Sequence, residues 1–346
     1  MPLNTLQKND WFMPAEWATH EASWMVWPHD RESWRGFGVT LESVREDVAR
    51  VAHAIRRFEP VNLVVHPDDM FCAERLCEPT IKLIPLSVND SWCRDTGPTF
   101  ICHARHGVAG INWGFNGWGG KARHELDATL GRRILETQGL ECLFVPLINE
   151  GGAIHVDGEG TLITTESVLL NANRNHGMDR LKVEEYFRLC LGVEKTIWLP
   201  GDPNDVTGDF TDGHVDGICA FARPGVLLLE STRQQATPYA EVFRENRRAL
   251  ELARDARGRK FELVPLYEAE GVESRSDIFC ASYSNFYITN GGVVMPSYGV
   301  ASDQLAADTV QRVFPDRTVV QVSINKLAQG GGGIHCMTQQ QPAWPL

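Results

Sequence analysis

The sequence contains no continuous apolar stretch of about eighteen residues, so no segment has the length of a membrane-spanning helix. Its opening, Met-Pro-Leu-Asn-Thr-Leu-Gln-Lys-Asn-Asp, has neither a basic start nor an apolar core and does not read as a secretory signal. Paired cysteines are missing as well. The nine cysteines are odd in number and include no Cys-x-x-Cys, which argues against a disulfide framework or a zinc ribbon and fits a reducing compartment. The expectation is a cytoplasmic protein. Basic residues are outnumbered, 33 Lys and Arg against 45 Asp and Glu, for a formal charge of −12. That balance disfavours nucleic acid and anionic membrane as partners and favours a small cation.

Several signature loops are absent too. There is no Gly-x-Ser-x-Gly elbow, no phosphate-binding loop, no Gly-x-Gly-x-x-Gly after a strand, and no His-Glu-x-x-His. A zinc deaminase would need His-x-Glu followed by Pro-Cys-x-x-Cys, and this is missing. His214, Asp216, His335 and Cys336 are the one set that could still hold a metal; the expectation is neither metal nor cofactor.

What is present is repetition. Five stretches have helical periodicity: Leu41, Val44, Val48, Val51 and Ile55; Leu126, Leu130 and Ile134; Leu181, Val183, Tyr186, Phe187 and Cys190; Val242, Phe243, Leu250 and Ala253; Leu305, Thr309, Val310 and Val313. Gly139, Gly192, Gly258 and Pro315 stand where these helices should stop. A short apolar strand follows each helix, at 61 to 65, 143 to 147, 196 to 199, 261 to 266 and 319 to 324. Hairpins with Gly-rich turns recur at 99 to 107, 154 to 164, 218 to 229 and 285 to 296. The fifth hairpin is completed only if the stretch around Cys336 pairs with 21 to 27. A repeat whose last unit borrows its strand from the first closes into a ring, so the fold class is α/β, with ββαβ modules in a propeller-like ring. Module one carries an extra element, 68 to 77, before its 81 to 86 strand. No linker or low-complexity segment divides the 346 residues, which read as one domain, 1 to 346.

The repeat also locates chemistry. Asp95, Glu150, His214 and the neighbourhood of Ser282 occupy equivalent positions in successive modules, and Cys336 lies in the same part of the last. Asp216 follows His214 by two, a spacing that shares one face of a strand. Four glycines, Gly330 to Gly333, precede Cys336 and permit a tight path or close approach. A thiol, an imidazole and three carboxylates are thereby expected to converge. Cys and His supply a nucleophile and a proton carrier, with a third group to orient the imidazole. Two further carboxylates would repel an anionic tetrahedral intermediate but match a planar cation bidentately, which points to a guanidine or amidine substrate.

The chain resembles the agmatine deiminases of the guanidino-group-modifying (pentein) superfamily. The resemblance is carried, almost end to end, by Met-Pro-Ala-Glu-Trp (13 to 17), Trp-Cys-Arg-Asp-Thr-Gly-Pro (92 to 98) and Phe-Asn-Gly-Trp-Gly-Gly-Lys (115 to 121). It continues through Glu-Gly-Gly-Ala-Ile-His-Val-Asp-Gly (150 to 158), Asn-Ala-Asn-Arg-Asn (171 to 175), Thr-Asp-Gly-His-Val-Asp-Gly (211 to 217) and the Cys336 stretch. It implies a five-bladed α/β propeller and assigns roles: Cys336 as nucleophile, His214 as general acid and base, Glu150 as the carboxylate orienting His214. Asp95 and Asp216 would grip guanidinium nitrogens. The product would be N-carbamoylputrescine and ammonia, formed through an amidino-thioether without metal or cofactor.

Secondary expectations are weighed beside these. Trp92 either flanks the substrate's methylenes or belongs to the core, and Gly333 lies at the substrate mouth. His335, expected to point away from Cys336, reads as structural, as do His155 and His176. Trp118 should pack on its neighbouring glycines, and Arg94 should position its loop through an ion pair. Asp209 and Asp212 could meet a distal ammonium, although acidic loop residues are more often solvated. Many relatives carry Asn where this chain has Gly217 and Gly333, and the loop 201 to 212 looks long, so the substrate's tail is the open question. Agmatine hydrolysis therefore stands beside deimination of arginine or another alkylguanidine, amidine transfer to an amine on the same site, and a non-catalytic guanidinium-binding ring. A homo-oligomer is left open.

Overall fold

The computed structural model describes residues 11 to 234, 236 to 274 and 276 to 345. Among them, strands form five sheets, and each is built around the same unit. An antiparallel hairpin is followed by a helix that returns the chain to a third strand, parallel to the second, as a parallel connection requires. Thr99–His103, Gly107–Gly114 and Glu141–Ile148 make one sheet, extended by the two-residue strand Trp11–Phe12; Ile154–Val156, Thr161–Thr165 and Lys195–Leu199 make the next. Cys219–Arg223, Val226–Ser231 and Glu262–Tyr267 form the third, and Tyr287–Thr289, Gly292–Ser297 and Thr318–Ser323 the fourth. In the fifth, Thr338–Pro342 pairs antiparallel with His20–Val26, which is followed in parallel by Val61–Val65 and Lys82–Pro85. The two ends of the chain thus share a sheet, in the pairing that the incomplete hairpin called for.

The helices sit where the periodicity places them. Leu41–Arg56 buries Leu41, Val44, Val48, Val51 and Ile55, and the Thr40 side chain caps it by accepting from the Ser43 N–H. Leu130–Gln138 and Arg180–Leu191 both end on a left-handed glycine, Gly139 (φ 65°) and Gly192 (φ 68°). Ser302–Val313 stops two residues before Pro315. Two details differ from expectation. Pro238–Leu252 ends at Ala253, well before Gly258; Asp255 accepts from the Arg257 and Arg259 N–H groups and organises the turn in which that glycine lies. Leu181 and Leu305, counted into apolar faces, are exposed. The extra element of module one is the helix Met70–Leu76. No helix among the described residues is long and apolar enough to cross a membrane.

A buried polar seam ties the fifth sheet to the fourth. Glu59 accepts from Ser23 Oγ and from the Asn290 N–H (2.7 Å), and its carboxylate lies 3.0 Å from His20 Nδ1. Tyr287 Oη meets Ser23 Oγ at 2.8 Å. Removing the acceptor strands several buried donors, each at a cost of about 1 to 3 kcal/mol. Glu59→Ala is expected to lose about 3 kcal/mol or more in urea unfolding; a loss within error of zero would show that the seam does not hold the sheets together.

Candidate active site

Each functional side chain stands in the turn that leads into a hairpin's first strand. Asp95 lies on the short helix Cys93–Thr96, Glu150 immediately before Gly151–Ala153, and His214 immediately before the turn Val215–Gly217 that carries Asp216. Asn285 precedes Tyr287–Thr289, and Cys336 precedes Thr338–Pro342. The equivalence read from the repeat holds, but His214 and Asp216 converge through a helical turn and not through strand alternation.

Neighbouring turns touch in sequence, and the last touches the first. The Gly152 N–H donates to Asp95 Oδ1 (3.0 Å), and His214 Nε2 stands 3.7 Å from Glu150 Oε2. Asn285 Nδ2 reaches the Asp216 carbonyl (3.5 Å) and Cys336 Sγ (3.2 Å), while its Oδ1 accepts from the Cys336 N–H (3.2 Å). The Arg94 N–H then donates to the Cys336 carbonyl at 3.0 Å. Glycine makes this crowding feasible: a Cβ on Gly152 would stand 2.6 Å from His214 Nδ1 and 3.0 Å from Asp216 Oδ2.

The charges are buried and mutually compensating. Burial opposes charge on His214, but Asp95 (3.8 Å), Glu150 and Asp216 outweigh it and raise its pKa to about 9. Burial would raise Glu150, yet His214 and the Arg174 guanidinium, 2.6 Å from its Oε1, hold it below the usual value. His214 Nε2 and Glu150 Oε2 have no closer hydrogen-bond partner, so at 3.7 Å they form an ion pair and not a hydrogen bond. Asp216 is lowered against burial by His335, whose Nδ1 lies 2.8 Å away. Asp95 is raised, chiefly by burial. The Cys336 thiol, 3.7 Å from Asp216 Oδ2, is pushed well up by burial and then by that carboxylate.

Cys336, His214 and Asp216 line one cavity of about 320 Å³; Glu150 and Asp95 are not in its lining and stand 3.7 and 3.8 Å from the His214 ring nitrogens. Asp202, Asp209, Glu230, Glu268 and Asp277 also line it, and no Lys or Arg is among the described lining residues. Trp92 and Gly333 are not in that lining. Trp92 is buried against Trp34, with Gly330 and Gly332 pressed on its ring, and a Cβ on Gly333 would meet Asn285 Oδ1 at 2.5 Å. Gly330, Gly332 and Gly333 let tryptophan rings and an amide approach the backbone before Cys336. Gly217 lines the mouth with open space where a Cβ would be.

Other expectations are corrected. Trp118 packs on more than glycine: its Nε1–H donates to Asp95 Oδ2 at 2.9 Å. Arg94 pairs with Glu16 (3.9 Å), not with its neighbour Asp95, and donates to Gln340 Oε1. His335 links Asp216 to Glu16: its Nδ1 meets the same Asp216 Oδ2 that lies 3.7 Å from Cys336 Sγ, and its Nε2 lies 2.9 Å from Glu16. Asp209 accepts from Thr211 and the Gly213 N–H, and Asp212 pairs with Lys121 and Arg174, so both are committed inside the loop. His155 stacks on His335 and burial lowers its pKa to about 4, while His176 is exposed. Among the described residues, metal-ligand spacing occurs at Glu16, His155 and His335, and not at the four residues weighed from sequence; both His335 nitrogens there already meet carboxylates. Arg174, Glu16 and Asn285 were not singled out, although the first two lie inside quoted motifs.

Comparison with known proteins identifies relatives of the whole chain. Residues 12 to 342 match the model of the Porphyromonas-type peptidyl-arginine deiminase family. An agmatine deiminase of Pseudomonas aeruginosa is 41% identical over 99% of this chain and 98% of its own length. The solved structure of the agmatine deiminase of Enterococcus faecalis superposes with a TM-score of 0.90 at 34% identity, covering 99% of this chain and 97% of that one. A dimethylarginine dimethylaminohydrolase, at 15% identity and a TM-score of 0.53 over 93% of this chain and all of that one, shares the fold.

The raised pKa of His214 carries a stability consequence. A histidine held near 9 when folded and near 6.5 when unfolded contributes stability that is fully present below about pH 6.5 and lost as pH rises through about 9. The contribution is on the order of 3 kcal/mol. Urea unfolding at about pH 6 and about pH 9.5 should show wild type losing more stability than His214→Gln over that interval; equal losses would contradict a charged, buried His214.

Proposed function

The chain belongs to the Porphyromonas-type peptidyl-arginine deiminase family, and on that basis we propose that it is an agmatine deiminase, hydrolysing agmatine to N-carbamoylputrescine and ammonia. The observation that carries this reading is one cavity in which a thiol, an imidazolium and carboxylates converge and whose described lining holds no Lys or Arg. A guanidinium with an amine tail fits that field, whereas the carboxylate of arginine would find no basic partner among those residues.

Asp95 and Asp216 grip guanidinium nitrogens, and the substrate's charge beside Sγ favours loss of the thiol proton. The thiolate attacks the guanidinium carbon, forming a C–S bond and a tetrahedral adduct. His214, protonated in the empty site, gives its proton to the departing nitrogen; the C–N bond breaks and ammonia leaves. Neutral His214 then takes a proton from water, which adds to the amidino-thioether carbon. Collapse breaks the C–S bond: the adduct's hydroxyl proton passes to the departing sulfur, replacing the thiol proton given up to solvent at the start, and the ureido product leaves with the thiol restored. Glu150, held by Arg174, keeps its charge toward His214 throughout.

The same reading extends to the frame. We infer that the five sheets are the blades of a five-bladed α/β propeller closed into a ring, and that residues 1 to 346 form one catalytic domain. The shared terminal sheet and the cycle of touching entry turns support both. All nine cysteines are free, which supports the cytoplasm as its compartment.

The assay follows ammonia and ureido product with agmatine beside arginine and other alkylguanidines, with and without chelator. Chelator-resistant turnover selective for agmatine and lost in Cys336→Ala is expected; unchanged activity in that variant would overturn the mechanism, and amidine transfer without ammonia would make the chain a transferase. Gly152→Ala should lower kcat at least about 100-fold by displacing His214, with near-normal folding by circular dichroism. Wild-type kcat in that variant would show that the crowding at Gly152 does not set the imidazole.

A further inference from the structure

Glu230 is an acidic residue that the reaction above does not use. It lies on the strand Val226–Ser231, is 2% exposed, and lines the same cavity as Cys336, His214 and Asp216. One carboxylate oxygen, Oε2, accepts from Ser282 Oγ (2.8 Å) and from the Ser284 N–H (3.3 Å). The other, Oε1, is buried with no hydrogen-bond partner among the described residues. A buried acceptor left unpaired is destabilising, and the cavity it borders offers it no Lys or Arg among the described lining residues.

Of the other acids of the cavity, Asp202, Asp209 and Glu268 are already engaged and Asp277 is exposed. Asp209 is bonded to Thr211 and Gly213, and Asp202 accepts from the Val206 and Thr207 N–H groups. Glu268 is bonded to Thr232 and Tyr239. Glu230 alone among these carboxylates combines deep burial with a free oxygen. Burial, reinforced by the negative charge of Glu268, pushes its pKa up to about 8, so the carboxyl lacks a counter-charge that an entering cation would supply. The cavity that Glu230 and the thiol share also has apolar lining, including Ile218, Ile278 and Ala281, which suits a methylene chain.

We propose that Glu230 is the specificity residue for the substrate's far end, its free oxygen receiving a terminal primary ammonium carried on the alkyl chain of the guanidine. This rests on the guanidine-hydrolase reading of the same cavity and deepens it: the preferred class is the ω-guanidinoalkylamines. Neutral-tailed and anionic-tailed guanidines are disfavoured, the first because Oε1 stays unpaired and the second because it faces Glu230 and Glu268.

The test compares agmatine, 1-butylguanidine and 4-guanidinobutyrate as substrates of wild type and Glu230→Gln, with KM and kcat measured separately and folding checked by thermal unfolding. Wild type should prefer agmatine to 1-butylguanidine in kcat/KM by about 10- to 100-fold, as expected for a charge-assisted contact. In Glu230→Gln that ratio should fall at least about tenfold, chiefly through KM for agmatine. Equal use of the two tails by wild type, or equal losses on both substrates in the variant, would overturn the inference and leave guanidine hydrolysis standing. Should the variant fail to fold, the wild-type ratio decides alone. Hydrolysis of no guanidine at all would instead overturn the functional reading, and this inference with it.

Discussion

Charge balance inside a dry volume is the constraint on which the rest depends. Glu16, Asp95, Glu150 and Asp216 are buried together, and each ionised carboxylate in such a place needs a partner. Arg94, Arg174, His214 and His335 stand among them as partners, and Arg174 is shared with Asp212. Cys336 is the uncharged member, its thiol held protonated by burial and by Asp216. A guanidinium brings positive charge beside the thiol, and loss of the thiol proton offsets it. On this account the nucleophile is made by the substrate that it attacks, and a neutral ligand of similar shape would leave it a thiol.

Holding that set together takes backbone without side chains. Gly152 brings three turns within touching distance, and Gly330, Gly332 and Gly333 let Trp92 and Asn285 lie against the segment that presents Cys336. The residues of the reaction come from turns spread over most of the chain, so the sheets behind them must keep their relative placement. The seam through Glu59 and the bond between Trp24 Nε1 and Gln341 Oε1 (2.8 Å) serve that purpose where the two ends of the chain meet.

Much of this was legible in the sequence, for a definite reason. Hydrophobic period and turn residues report local structure, and a repeat turns local structure into equivalence between distant positions. Asp95, Glu150, His214 and Cys336 could therefore be brought to one place before any coordinate was known. Pairing between side chains has no such local signal. Arg174 reaches Glu150 across 24 positions, Trp118 reaches Asp95 across 23, and His335 reaches Glu16 across 319. None of these spacings has a period, and Arg174 and Glu16 were visible only as letters inside motifs. Trp92 failed in the opposite direction: its closeness to Asp95 in sequence suggested the substrate, whereas its ring lies behind the glycines. Glu230 sits on a strand that reads as an apolar run, and only the cavity shows which way its free oxygen is spent.

The central claim is that a guanidinium drives Cys336 to a covalent amidino-thioether, and mass spectrometry of acid-quenched enzyme tests it most directly. Wild type mixed with agmatine should yield a Cys336-containing peptide heavier by agmatine less ammonia. Turnover with no such adduct, or an adduct on Cys280, which lines the same cavity, would contradict the account.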